Sequence, residues 1–206
     1  MPPATVRSWV LGRHYPTRSG PKFFKPIVAR PDTNIPLLSF VNLVECHVLS
    51  AIRRQHTVPL PSVRKALDYL TTHFASKHPL VEQKFETDGI DLFVERYGQL
   101  INVSKEGQTV MRGMIKTYLR RIERDQEGNV LRLFPFTRSH PAPGPKIIVI
   151  DPFVSFGKRT IVGTGIPTSI IADRYKTGES VDELAEDYGR QKLEIEEAIR
   201  SELQAA

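Results

Sequence analysis

Two segments in the front half of the chain carry apolar residues at helical spacing. Phe40, Leu43, Val44, Val48, Ala51 and Ile52 recur three or four apart between 39 and 55. Val63, Ala66, Leu67, Leu70 and Phe74 do the same between 61 and 74. Each pattern predicts an amphipathic helix, and Pro61 suits the first turn of the second because its missing N–H breaks no intrahelical bond there. The pattern then changes. Residues 84–87 and 90–95, separated by Asp88-Gly89, predict a β-hairpin through a two-residue turn, and 99–104 predicts a third strand. Over 109–124 the period returns to that of a helix, with Met111, Met114, Ile115, Tyr118, Leu119 and Ile122 on one face and Lys116, Arg120, Arg121 and Arg124 elsewhere. Gly128 is a stop signal and 130–137 a further strand candidate. The middle segment therefore reads as a small mixed strand and helix layer or a dimerisation surface.

Residues 138–145 read Arg-Ser-His-Pro-Ala-Pro-Gly-Pro, which can neither continue a helix nor pair as a central strand. This places a linker there. Beyond it, 146–151 and 160–162 predict short strands, and Pro167 opens a helix that ends before Gly178. Ser180 and Glu183 have the spacing of a capping box, in which each satisfies a backbone N–H of the other. Val181, Leu184, Ala185 and Tyr188 line that helix, Gly189 ends it, and Ile195, Ala198, Ile199 and Leu203 mark a last one. The expected organisation is α+β: a front region over 1–78, a middle α+β segment over 79–137, the linker, and a helical domain with short strands over 146–206.

Composition adds exclusions. Of 206 residues, 40% are hydrophobic and 25% charged, as in a folded globular protein. No apolar run approaches the roughly 18 residues of a membrane span, and the start lacks a signal-peptide pattern, so no membrane partner and a cytoplasmic location are expected. Cys46, the single cysteine, sits among Leu43, Val44 and Leu49 as a buried hydrophobe would. The histidines at 14, 47, 56, 73, 78 and 140 lack metal-ligand spacing, and 157–165 lacks the Gly-Lys-Ser or Gly-Lys-Thr end of a phosphate loop. Paired carboxylates such as Glu186-Asp187 fit a solvated helix face. Neither an enzyme nor a cofactor is expected.

Charge changes the picture more. The net charge is +6, but residues 1–78 hold 11 Lys and Arg against Asp32, Glu45 and Asp68, whereas 79–206 hold 18 against 20 acids. A local positive field is what phosphate attraction requires, so the front end is the candidate nucleic-acid face. Residues 2–12 resemble the second helix of a helix-turn-helix, the one that enters the major groove. Thr5, Arg7, Ser8 and Arg13 would face DNA while Val6, Trp9 and Val10 pack inward. The helix that precedes it in that unit is absent, so either the reading frame starts upstream of Met1 or the protein is a true truncation. Residues 15–36 suit a β-hairpin wing: Gly20 is a turn residue, and Arg18, Lys22, Lys25 and Arg30 stand beside Phe23 and Phe24. Such cations add affinity more than sequence choice. Arg53 and Arg54 at the end of the next helix would touch the backbone or complement the helix dipole.

These features carry a resemblance. Residues 2–12, the wing, and 43–70 resemble the MerR-type winged helix-turn-helix, with its first helix missing. The string 38–54, Leu-Ser-Phe-Val-Asn-Leu-Val-Glu-Cys-His-Val-Leu-Ser-Ala-Ile-Arg-Arg, resembles the VapB-type antitoxins of a mycobacterial-like subgroup. The stretch from Ile150-Asp-Pro-Phe to Gly163, Thr164, Ile166 and Pro167, then Gly178, Glu179 and Ser180, is similar to the domain family of unknown function number four hundred and thirty-three. The resemblance implies an antitoxin of a type II toxin–antitoxin pair, a homodimer that binds its own operator DNA and neutralises a PIN-type ribonuclease. Such a nuclease holds Mg²⁺ among carboxylates, and Lys158 and Arg159 are the residues that would reach them. Residues 168–206 hold five Lys and Arg against ten acids, which repels DNA and favours a protein contact. A stand-alone MerR-like regulator, or an interaction module that lost its DNA-binding half, are the alternatives.

Overall fold

A computed structural model describes residues 3–18, 20–35, 37–54, 60–138 and 144–203. They form two compact units, Met1–Arg120 with Gln126–Asn129, and Arg121–Asp125 with Val130–Ala206. No helix is long and apolar enough to cross a membrane among the described residues.

The first unit runs α1 (Pro3–Leu11), a two-stranded antiparallel ribbon of β1 (Arg13–Tyr15) and β2 (Lys22–Phe24), then α2 (Phe40–Arg54), α3 (Leu60–Phe74), α4 (Ile90–Ile101) and α5 (Lys105–Leu119). The α2 and α3 periodicities form helices within a residue of their expected bounds. Val44, Val48, Leu49, Ala51 and Ile52 of α2 are buried, as is Cys46, but Leu43 is 38% exposed. Ser39 and Asn42 cap α2 reciprocally: the Asn42 N–H donates to the Ser39 hydroxyl at 3.2 Å and the Ser39 N–H to Asn42 Oδ1 at 3.1 Å. Helix α2 packs on α5, α3 on α4, and α4 on α5.

The expected hairpin over 84–95 is instead helical. A π-turn, Phe85–Gly89, leads straight into α4, and Phe85, Ile90, Phe93, Val94 and Tyr97 are buried at helical rather than alternating spacing. Asp88-Gly89 misleads because Gly89 looks like a turn glycine. Its φ of −70° is helical, and a Cβ there would lie 2.7 Å from the Phe85 ring and 2.9 Å from that of Phe74. Close ring packing, not a positive φ, requires the glycine. The third strand expected over 99–104 is likewise the end of α4: Asn102 turns left-handed at φ 53° and Ser104 caps α5, accepting from the Gly107 N–H at 3.2 Å.

In the second unit, β3 (Ile122–Arg124), β4 (Val130–Leu133), β5 (Ile148–Ile150) and β6 (Arg159–Ile161) form an antiparallel sheet in that order. Ile122, expected on the helix of 109–124, belongs to β3, because α5 ends at Leu119. Leu133 pairs with Ile150, which carries the β3–β4 hairpin into the second unit. Arg121 supports the join from within, donating to Gly144 O at 2.8 Å and Pro135 O at 3.2 Å. Residues 139–143 of the Pro-rich linker lie outside the described residues. Helices α6 (Thr168–Lys176), α7 (Val181–Tyr188) and α8 (Lys192–Leu203) complete the unit. Ile148 and Ile161 of the sheet meet Ile171, Leu184, Ile195, Ala198 and Ile199 of the helices in one core. The Ser180–Glu183 capping box forms, and Gly189 closes α7 at φ 60°.

Candidate nucleic-acid interface

Helix α1 is anchored by one face only. Trp9 is 2% exposed and Val10 is buried, while Arg7 is exposed and Thr5, Val6 and Ser8 are half-buried. The anchor includes backbone: Trp9 O, an end carbonyl with no intrahelical partner, accepts from the Ile27 N–H at 2.7 Å and the Val28 N–H at 3.1 Å. The ribbon follows α1 at once because Gly12 turns the chain at φ 76°. A Cβ there would lie 2.4 Å from Phe24 O and 2.6 Å from the Phe23 ring, so this corner admits only glycine.

In the ribbon, Arg13 faces Phe24, His14 faces Phe23 and Tyr15 faces Lys22. Alternation puts Arg13, Tyr15, Lys22 and Phe24 on one side, and the His14 and Phe23 rings, 4.9 Å apart, on the other. At the tip, Thr17 and Gly20 exchange backbone hydrogen bonds of 3.1 and 3.0 Å around the exposed Arg18. Arg13, Lys22 and Lys25 are also exposed. None of Arg7, Arg13, Arg18, Lys22 or Lys25 makes an ion pair among the described residues.

Arg30 sits differently from its three wing companions. It donates to Thr33 O at 2.9 Å and Ile35 O at 2.8 Å, closing the loop before α2. Arg64 on α3, which no spacing in the sequence singles out, holds the ribbon's exit: it donates to Pro26 O at 2.9 Å and to Lys25 O, and its guanidinium lies 4.7 Å from the Phe24 ring centre. Burial pulls the Arg64 pKa down, only partly offset by Asp68. Arg53 is exposed at the end of α2, and the side chain of Arg54 lies outside the described residues.

The second unit has its own exposed feature. In the loop between β5 and β6, Phe153 is 91% and Phe156 100% exposed, and both Ser155 and Phe156 hold left-handed backbone, at φ 48° and 57°. Neither conformation is easy for a residue with a Cβ. Lys158 is exposed beside them. Its neighbour Arg159 donates to Ser201 O at 2.8 Å and lies 3.6 Å from Glu202, which ties it to α8. The two cations stand out in the sequence by charge; the signal for the phenylalanines is two apolar rings in a loop between short strands, in Asp-Pro-Phe and Phe-Gly-Lys.

Residues 148–200, from the start of β5 into α8, match the family described as "Protein of unknown function (DUF433)". The chain is 27% identical over 209 residues to the uncharacterized protein Rv2308 of Mycobacterium tuberculosis, an alignment covering 97% of this chain and 83% of that one. It is also similar in fold to the crystal structure of Rv2018 from the same organism, with a TM-score of 0.64 at 22% identity, over 97% of this chain and 91% of that one. The likeness thus spans both units and shows their fold; it names no activity.

Proposed function

We propose that the chain is an antitoxin of a type II toxin–antitoxin pair, which binds operator DNA through its first unit and a PIN-type ribonuclease through its second. The observation that carries the DNA reading is the pairing of α1 with the ribbon. An exposed Arg7 stands on a helix whose other face is pinned through Trp9, next to a β-ribbon bearing Arg13, Arg18, Lys22 and Lys25. In a winged helix of MerR type the helix reads base edges and the wing lies along phosphates. For the protein contact, the exposed Phe153 and Phe156 offer apolar anchors of the sort that dominate interface energies. Lys158 beside them supplies a cation for a carboxylate-lined nuclease site. The strained backbone at Ser155 and Phe156 supports a role in recognition, where such strain concentrates.

Two measurements test this. Arg7→Ala is expected to weaken operator binding by about 1–3 kcal/mol and to relax sequence preference, whereas a joint replacement of Arg18, Lys22 and Lys25 weakens specific and nonspecific binding alike. Co-expression with the neighbouring reading frame, followed by pull-down and growth rescue, tests the second half. DNA binding without rescue would leave a stand-alone regulator; absence of both would end the proposal.

A further inference from the structure

Two phenylalanine rings leave the second unit from one short loop, and the backbone that carries them is unusual. Ser155, Phe156 and Gly157 take φ of 48°, 57° and 72° in succession. This is a single left-handed turn, closed by the Gly157 N–H on Val154 O at 3.0 Å and the Lys158 N–H on Ser155 O at 3.2 Å. Such a turn is costly for residues with a Cβ, and two of these three have one. It persists only where the surroundings over-determine it.

Those surroundings can be named. Asp151 is buried, and its carboxylate works in two directions: Oδ1 accepts the Phe153 N–H at 2.9 Å, and Oδ2 accepts from Arg132 Nε at 2.7 Å, which fixes it to β4. The Asp151 carbonyl accepts the Val154 N–H at 3.1 Å. From the turn itself the Ser155 hydroxyl donates to Gly165 O at 2.8 Å, tying the loop to the chain beyond β6. With Phe153 91% and Phe156 100% exposed, the rings do little to hold the loop. These polar contacts hold it instead.

We propose that Asp151 and Ser155 are positioning residues, which lock the loop so that Phe153 and Phe156 meet a protein partner as a preformed two-ring prong. The identity of that partner rests on the antitoxin reading; the brace does not. A loop ordered before contact has no ordering cost left at the moment of binding, which is where preorganisation gains affinity. The matching surface is an apolar cleft for the rings with carboxylates beside it, since Lys158 is exposed next to them whereas Arg159 is tied to α8. A lipid surface would accept loose rings equally well, and a single cation gives little grip on anionic headgroups. A braced pair therefore favours a shaped protein cleft.

The test has two arms, both on the full chain, in the wild type, Asp151→Ala, Ser155→Ala and a joint Phe153→Ala and Phe156→Ala replacement. Ser155→Ala removes one hydroxyl from a half-buried position and keeps both arms decisive should Asp151→Ala fail to fold. In the first arm, chymotrypsin is expected to cut the wild type after Phe153 and Phe156 about tenfold more slowly than a free peptide of residues 149–160, and the two brace variants close most of that gap. In the second, the purified product of the neighbouring reading frame is titrated. Each brace variant is expected to bind it about tenfold more weakly, although Asp151 is too buried to touch a partner. Rapid cutting of the wild type, or brace variants as resistant as the wild type, overturns the proposal whether or not the neighbouring product binds. So does an affinity that the ring or brace replacements leave unchanged, or wild-type binding to phosphatidylserine vesicles that the ring replacement removes. No binding of the neighbouring product by the wild type ends the antitoxin reading instead, and chymotrypsin alone then decides the brace.

Discussion

Among single residues, Glu45 and His78 make the most consequential polar pair of the first unit. Glu45 is buried; its Oε2 accepts from Asn42 Nδ2 at 3.2 Å and lies 2.9 Å from His78 Nδ1. Asn42 Nδ2 also donates to Ala29 O at 2.8 Å, so the cap of α2, a buried carboxylate and the loop after the ribbon meet at one amide. The hydrogen bond to Glu45 raises the His78 pKa above its ordinary value; burial opposes this, and the charges of Glu45 and Glu82 outweigh that of Lys77. A raised folded-state pKa means that the folded protein binds the proton more tightly than the unfolded chain. The stabilisation is therefore complete below the unfolded value of about 6.5 and is lost as pH rises through the higher folded value. We expect the thermal midpoint to fall between about pH 6 and pH 8 in the wild type, and this part of the profile to flatten in His78→Gln. A midpoint rising over that range would contradict the assignment. Sequence placed none of this, because Glu45 reads as one acid in a basic region and His78 as a lone histidine. Only the fold brings residues 33 positions apart within hydrogen-bond reach.

For elements, legibility followed the period of the pattern. Helices α2 and α3 could be read because a strict apolar stripe has one structural meaning, and the Ser180–Glu183 box because capping is a local interaction. The expected strands over 84–104 came from a turn dipeptide whose glycine serves packing. The same residue gives a discriminating measurement. In a solvent-facing helix, Gly to Ala is stabilising by up to about 1 kcal/mol. At Gly89 the added methyl meets two buried rings, of Phe85 and Phe74, so Gly89→Ala is expected to destabilise by about 1–3 kcal/mol in urea unfolding. If it stabilised the protein, the close approach of α3 to the start of α4 would be wrong. The candidate interface divides along similar lines. Exposed cations of α1 and the ribbon were legible as a cluster of basic residues; the duties of Arg30 and Arg64 were not, since both spend their guanidinium groups on carbonyls that sequence does not bring near them.

At the scale of the whole molecule, the uneven charge of the chain becomes a quantity that salt can measure. Each phosphate contact by Lys or Arg releases condensed counterions, so the logarithm of affinity falls with the logarithm of salt at a slope of about −0.9 per contact. The basic residues of the first unit are not equivalent in this respect. Arg18, Lys22 and Lys25 are exposed, whereas Arg30 is committed to Thr33 O and Ile35 O, and Arg64 to Lys25 O and Pro26 O. We therefore expect the joint Arg18, Lys22 and Lys25 to Ala replacement to reduce the magnitude of the slope by about 3. Arg30→Ala should leave it nearly unchanged while lowering the stability of the loop that leads into α2. Acids of the second unit bear on the same titration from the other direction: residues 168–206 hold ten acids against five Lys and Arg, which gives DNA no reason to settle there. Replacing Lys158 should accordingly leave the slope untouched, and under the proposed function it alters only the binding of the protein partner. If Arg30→Ala and the triple replacement changed the slope equally, the free cations of the ribbon and the carbonyl-bound Arg30 would be equivalent, and the ribbon would lose its claim as the phosphate-contacting element.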